Sequence, residues 1–124
     1  MAGMQFVANG NSIAARDLVL GVFQQQQWSV SMKNEWEAKA EHGSKAASFF
    51  GGAFAGKGGR HVIINISVSS DPQGKTFIKL IEGASGFSGG LIGVSQAKEV
   101  YQTMYNNVGM ALQSAGIFVS NSAI

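Results

Sequence analysis

The side chains best suited to metal or acid–base chemistry are the two histidines of the chain, His42 and His61. His42 closes one predicted strand and His61 opens another, so an antiparallel meander would place them near each other. Two imidazoles and the carboxylate of Glu41 form a donor set that suits Zn²⁺ or Fe²⁺. Glu41, however, directly precedes His42 in its strand and points to the opposite face. We therefore expect no metal and no cofactor.

Three glutamates share one face of a predicted strand with two lysines: Glu35, Glu37 and Glu41 with Lys33 and Lys39. Paired carboxylates perform acid–base catalysis when one of them is desolvated and its pKa is raised. Interleaved lysines and an exposed face favour ordinary ionised carboxylates instead. The alternation of sign also suits a contact with a twofold-related copy of the chain. The glutamates would repel phosphate, so we expect no nucleic-acid partner.

Two glycine-rich segments invite comparison with phosphate-binding and nucleophile-bearing loops. Residues 56–60 carry Lys57 and Arg60 but lack the length, the Lys-Ser/Thr ending and the following helix of a P-loop. Residues 83–93 contain Ser85 and Ser88, and residues 86–90 match Gly-x-Ser-x-Gly around Ser88, but the nucleophile elbow of a hydrolase also needs a strand–Ser–helix turn and an activating histidine. The first segment is predicted to be a hairpin turn. The second is predicted to be a crossover between sheet and helix, or a lid.

The clearest structural pattern runs from Trp28 to His42. Every odd-numbered residue in this range is polar or charged, whereas both tryptophans occupy even positions. Because side chains alternate across a strand, the pattern predicts one long strand with a buried and an open face. Fifteen residues is long for a single strand, so we expect a bulge or bend near Asn34.

Helical periodicity appears near both ends of the sequence. Asn11 or Ser12 is a suitable N-cap for the first helix, and Gly116 is a suitable stop for the second. Met110 is the one large apolar residue expected on the outer side of the second helix. The predicted elements are, in order, a strand at 4–8, a helix from the cap at 11 or 12 to about 26, strands at 28–42, 45–55, 61–69 and 75–82, and a helix from a cap at 95 through 97–115.

This order predicts one α+β domain over residues 1–124. Its core is a twisted antiparallel meander of four to five strands, with a long C-terminal and a shorter N-terminal helix on one face. The sequence strand, helix, four strands, helix resembles TATA-binding-protein-like domains, in which a long helix lies across a curved sheet. The resemblance rests on element order and implies the architecture alone, because a shared fold transfers no function.

Charge is scarce in this sequence and constrains its partners. Charged residues make up 13% of the chain, against about 25% in typical soluble domains. Residues 100–124 carry none. Two interpretations remain open: a surface of uncharged polar side chains, or a surface covered by a second copy, and we expect self-association. The nine basic residues are dispersed rather than gathered into a nucleic-acid-binding stripe.

The sequence also bears on location. It contains no cysteine, which suits a reducing compartment. We expect no signal peptide, because residues 1–10 lack a basic start and an apolar segment. No stretch approaches the roughly 20 consecutive apolar residues of a membrane span. We therefore expect a cytoplasmic protein.

The favoured function is a non-catalytic binding or assembly module, a homo-oligomer that holds an apolar or amphipathic small molecule between sheet and C-terminal helix. Methionine and aromatic side chains suit such a cleft, although they also suit a filled core. The alternative is a small enzyme that uses His42 or a groove tyrosine as its acid–base group. The groove candidates are Trp28, Met32, Trp36, Phe50, Phe54, Tyr101, Met104 and Tyr105.

Overall fold

The computed structural model describes residues 3–42, 62–83 and 90–124. These residues form one six-stranded antiparallel sheet, in the strand order β2-β3-β4-β5-β1-β6, and two helices. The α+β class, the antiparallel meander and the helix near each end are confirmed. In chain order the elements are β1 (Gly3–Asn9), α1 (Ser12–Gln25), β2 (Ser29–Met32), β3 (Glu37–His42), β4 (Val62–Ser70), β5 (Lys75–Glu82), α2 (Gly90–Ser114) and β6 (Phe118–Ala123).

The core lies between one face of the sheet and the two helices. Alternate residues of β4 and β5 are buried, as the period of two requires. Met110 is 63% exposed and lies on the outer side of α2, as expected. The buried apolar side chains of the central strands and of the helices are Val62, Ile64, Ile66, Val68, Ile78 and Leu80, with Ala15, Val19, Val22 and Phe23 from α1 and Tyr101, Met104, Tyr105, Val108 and Leu112 from α2.

The irregularity expected near Asn34 is present, but the prediction of one continuous strand over residues 28–42 is wrong, because the chain reverses at residues 33–36 and forms the hairpin of β2 and β3. The Asn34 side chain builds the turn: its Oδ1 accepts from the Trp36 N–H at 2.8 Å, and its Nδ2 donates to Glu37 Oε1 at 2.9 Å. Such local side-chain bonds favour turns over strands. The register still pairs odd with odd residues, Ser29 with Glu41, so the predicted polar face is retained.

The predicted cap of the first helix is confirmed, and a tight turn joins two strands of the meander. Asn11 caps α1, because its Oδ1 accepts from the N–H groups of Ile13 at 2.7 Å and Ala14 at 3.1 Å. The turn that begins at Asp71 joins β4 to β5, and Gly74 adopts a positive φ of 87° there. Only glycine adopts this conformation without steric cost.

The start of α2 differs from the prediction. The helix begins at Gly90, within the segment 83–93 that was predicted to be a crossover, and seven residues before the predicted start at Ala97. Helix propensity is a weak guide, since tertiary packing overrides the cost of glycine, about 1 kcal/mol per residue. The strand predicted at 45–55 and the turn predicted at 56–60 lie outside the described residues.

Both helices end in the same hydrogen-bond pattern, a Schellman motif. At the end of α1, Gln27 has a φ of 67°, and the Trp28 N–H donates to the Phe23 carbonyl at 2.9 Å. At the end of α2, Gly116 has a φ of 75°, and the Ile117 N–H donates to the Leu112 carbonyl at 3.1 Å. Gly116 therefore stops the helix as predicted.

Strand β6 was not predicted, and it makes the sheet larger than the four to five strands expected. It follows directly on the second Schellman motif and pairs antiparallel with β1. Its residues are mostly exposed, so they show no alternation of apolar and polar types that could have marked a strand. Backbone pairing with β1, rather than burial of side chains, defines this element.

Candidate functional site

A cavity of about 300 Å³ opens between the sheet and the middle of α2. Three parts of the chain contribute to its wall: the segment after α1, the end of β3 and α2. Apolar and polar groups both face the space, as is usual for small-molecule sites. The lining residues are Gln26, Trp28, His42, Glu99, Val100, Thr103 and Met104.

Trp28 is held in this wall by the end of α1. The left-handed conformation of Gln27 turns the chain, and the Trp28 ring then packs edge-on against Phe23 with 5.2 Å between centroids. A contact between these two positions accompanies many Schellman motifs. Trp28 is almost completely buried. The local fold of the helix end therefore fixes the aromatic wall before any ligand is present.

His42 is the titratable ring of the cavity. It is half-buried, and its centroid lies 5.2 Å from that of Trp28 at a tilt of 40°. Burial lowers the pKa of His42 below its usual value of 6.5, because a poorly hydrated site disfavours the charged imidazolium. At neutral pH the ring is uncharged, with one nitrogen able to donate and the other able to accept a hydrogen bond.

The two tyrosines of α2 lie beside the cavity lining and bind the end of β5. The Tyr105 hydroxyl donates to Glu82 Oε2 at 2.8 Å, and the Tyr101 hydroxyl donates to the Gly83 carbonyl at 3.5 Å. Desolvation raises the pKa of Tyr105 well above its usual range, and the hydrogen bond to Glu82 and the charges of Glu82 and Tyr101 add to the effect. Desolvation and the Glu82 charge raise the pKa of Tyr101 in the same direction. Both hydroxyls therefore stay protonated and act as structural donors.

The predicted groove residues separate into three groups in the structure. Trp28 and Met104 line the cavity. Tyr101 and Tyr105 are buried on the same face of α2. Phe50 and Phe54 lie outside the described residues, and the remaining two, Met32 and Trp36, belong to the β2–β3 hairpin.

Met32 and Trp36 lie at the turn end of the hairpin and do not line the cavity. Met32 is 48% exposed. Trp36 is partly buried, and the Arg16 guanidinium lies 5.7 Å from its ring centroid. Arg16 also donates to the Glu35 carbonyl at 2.8 Å. These contacts fasten the turn to α1, and they arise because the chain reverses where a continuous strand was predicted.

Sequence reasoning missed most of the polar lining. Glu99 and Thr103 are four residues apart and so lie on one side of α2, next to the apolar pair Val100 and Met104. That spacing was visible in the sequence, but no pattern indicated which side of the apolar face of α2 would border a cavity. Gln26 was predicted only as the approximate end of the first helix.

The side chains that were considered as metal ligands lie on opposite faces of the sheet. His42 faces the cavity, whereas Glu41 forms an ion pair with Lys39 at 3.1 Å on the other face. His61 lies outside the described residues. Within residues 3–42, 62–83 and 90–124, no three histidine, aspartate or glutamate side chains gather at one point. Neither helix of the described chain has the length and hydropathy needed to cross a bilayer.

No protein-family model matches the chain, and no curated protein matches it at a significant level. The site must therefore be interpreted from its own geometry.

Proposed function

We propose that this chain is a non-catalytic binding module that holds a small amphipathic molecule between the sheet and α2. The observation that carries the proposal is the cavity itself, whose volume of about 300 Å³ lies at the lower end of the range for small-molecule sites. Trp28, Val100 and Met104 supply apolar contact on two sides. Methionine and aromatic side chains combine large contact area with adaptable shape.

The polar lining would orient such a ligand. Glu99 offers a hydrogen-bond acceptor, neutral His42 offers a donor and an acceptor, and Thr103 offers a hydroxyl. A ligand with an apolar ring system and one N–H or O–H group would place its rings against the apolar wall. Its N–H or O–H group would then hydrogen-bond to one of these polar side chains. No lysine or arginine is among the described lining residues, so the site favours neutral ligands over anions.

Filling the cavity tests this proposal, and Thr103→Trp is the variant of choice. Thr103 is exposed at the rim, so the added indole blocks the space without disturbing the core. The probe is N-phenyl-1-naphthylamine, an uncharged fluorescent ring system with one N–H. We expect wild-type protein to enhance its fluorescence, and Thr103→Trp to weaken binding at least tenfold, about 1.4 kcal/mol.

Met110→Trp is the matched control, because it adds the same side chain to the outer side of the same helix. It should bind the probe as the wild type does. Equal binding by both variants would place the probe elsewhere, and the absence of any enhancement with the wild type would remove support for the cavity as a ligand site. Native mass spectrometry of protein purified from its own host would then show any retained natural ligand directly.

We also propose that the module self-associates. The support is the low charge content of 13% together with the charge-free residues 100–124, which include most of α2 and all of β6. Like charges that would keep copies apart are therefore absent from this part of the surface. Light scattering across a range of protein concentrations tests the proposal, and a single 13.0 kDa species at the highest concentration would contradict it.

A small enzyme is the second candidate, because a neutral histidine in a cavity is suited to accept a proton. His42 lies in such a place, with Thr103 and Glu99 around the same space. What separates the two functions is the titration of His42. A general base needs a ring that is partly desolvated but still reached by its substrate.

The pKa of His42 makes a prediction for stability. The unfolded chain binds the imidazole proton near pH 6.5, whereas in the folded chain burial lowers the pKa. Stability should therefore be unaffected by this group above that pH and should fall as the pH decreases below it. In His42→Gln, the loss of unfolding free energy between about pH 7.5 and about pH 5.5 should be smaller than in the wild type.

Urea unfolding at the two pH values measures this difference, and histidine NMR titration gives the pKa itself. A His42 pKa at or above the usual 6.5, or equal pH dependence in both proteins, would show that the ring is hydrated. Either result would also remove the case for His42 as a catalytic base.

A further inference from the structure

Strand β6 forms one edge of the sheet, and within the described residues it pairs only with β1. An edge strand presents unpaired backbone N–H and C=O groups on its outer side. Two apolar side chains at this edge are also exposed to solvent. Val119 is 38% exposed and Ile124 is 44% exposed.

The register shows which backbone groups point outward. Gly3 and Ile124 exchange both of their hydrogen bonds, each at 3.0 Å. Because hydrogen-bonded and non-hydrogen-bonded pairs alternate in an antiparallel ladder, Ser122 faces Gln5 with its N–H and C=O directed at β1. Asn121 and Ala123 lie at the alternate positions, so their N–H and C=O groups point away from the sheet.

The edge lacks the features that usually prevent sheets from joining. Monomeric proteins protect edges with charged side chains, proline or very short strands. Residues 117–124 contain no charge and no proline, and β6 is six residues long. The opposite edge, β2, has four residues and leads into a turn that carries Lys33 and Glu35. The two edges of the sheet are therefore unequally protected.

We propose that β6 pairs antiparallel with β6 of a second copy of this chain, so that the two sheets continue into one. A twofold axis midway between Ser122 of one copy and Ser122 of the other would set Asn121 opposite Ala123 of the second copy, and both Asn121–Ala123 pairs would exchange their outward N–H···O bonds. The uncharged strand brings no repulsion against its own copy. This proposal rests on the self-association part of the proposed function and is independent of the cavity.

Asn121→Pro tests the pairing with little expected effect on the fold. Its N–H points outward, and proline is tolerated at such edge positions because no ladder bond is lost. Met32→Pro is the matched control, since the register of β2 and the bond from the Lys33 N–H to the Glu37 carbonyl place the Met32 N–H on the outer side of the opposite edge. Size-exclusion chromatography with light scattering gives the mass of each protein.

We expect wild type and Met32→Pro to have about twice the 13.0 kDa chain mass, and Asn121→Pro to have the mass of one chain. A wild type that stays monomeric overturns the pairing and self-association together. An Asn121→Pro dimer overturns the pairing alone. Loss of probe binding in Thr103→Trp bears on neither outcome.

Amide hydrogen exchange supplies a test that needs no variant. In a monomer the outward amides of Asn121 and Ala123 exchange rapidly, whereas the inward amide of Ser122 is protected by β1. In the proposed dimer, all three amides are protected, and the protection of the outward pair increases with protein concentration. Rapid exchange of both outward amides in protein shown to be dimeric would contradict the pairing.

Discussion

Replacing Phe23 with alanine is expected to lower the free energy of unfolding by about 3–5 kcal/mol. Phe23 is completely buried in the core cluster between the sheet and the helices. The substitution removes its transfer free energy and leaves a void, because the surrounding strands can only partly relax. It also removes the ring against which Trp28 packs at 5.2 Å, so the aromatic wall of the cavity loses its backing.

Urea unfolding followed by circular dichroism measures this change. Met110→Ala is the control, since a truncation at this exposed position of α2 should change stability by no more than about 0.5 kcal/mol. A loss below about 1 kcal/mol for Phe23→Ala would show that the site collapses around the alanine, in disagreement with close packing.

Tyr105→Phe is expected to cost about 2 kcal/mol, which is the range for a hydrogen bond to a charged group. The 2.8 Å bond to Glu82 lies under α2 at the end of β5, where water replaces the lost donor poorly. Burial raises the pKa of Tyr105, and the hydrogen bond to Glu82 raises it further. Since the folded pKa lies above the unfolded one, the contribution is present below about pH 10 and is lost as the pH rises further.

Tyr101→Phe is the matched control on the same helix. Its hydroxyl meets the neutral Gly83 carbonyl at the longer distance of 3.5 Å, so its loss should cost less than about 1 kcal/mol. Urea unfolding at neutral pH and above about pH 10 compares the two variants with the wild type. Equal costs for both variants at neutral pH would mean that the charge of Glu82 contributes nothing to the bond.

The fold was predictable where side-chain patterns follow local geometry. Val62, Ile64, Ile66 and Val68 of β4 are apolar because one face of the strand is buried, and the same holds for the inner side of α2. Asn11 begins its helix and Gly116 ends its helix through local hydrogen bonds and backbone geometry. The length of the segment predicted a bulge or bend near Asn34, but the full reversal of the chain there was hidden, because the hairpin register preserves the parity of side chains. A continuous strand and a tight hairpin therefore show the same alternation.

The candidate site was less predictable because it depends on which elements meet in space. Trp28 and Met104 could be chosen as large apolar residues on inward faces. Glu99 and Thr103 became visible only when α2 was seen beside His42. Strand β6 escaped notice because it is held by backbone bonds to β1, and backbone pairing leaves little trace in the types of exposed side chains.

Gly109 of α2 faces the Phe6 ring of β1 across the core. A methyl group at position 109 would lie 3.4 Å from the Phe6 ring, which is ordinary contact, so alanine would fit there. A longer side chain would meet the ring and force the helix outward. In any chain that keeps this spacing, the volumes at positions 6 and 109 must vary inversely: a bulky residue in the helix requires a small one in β1.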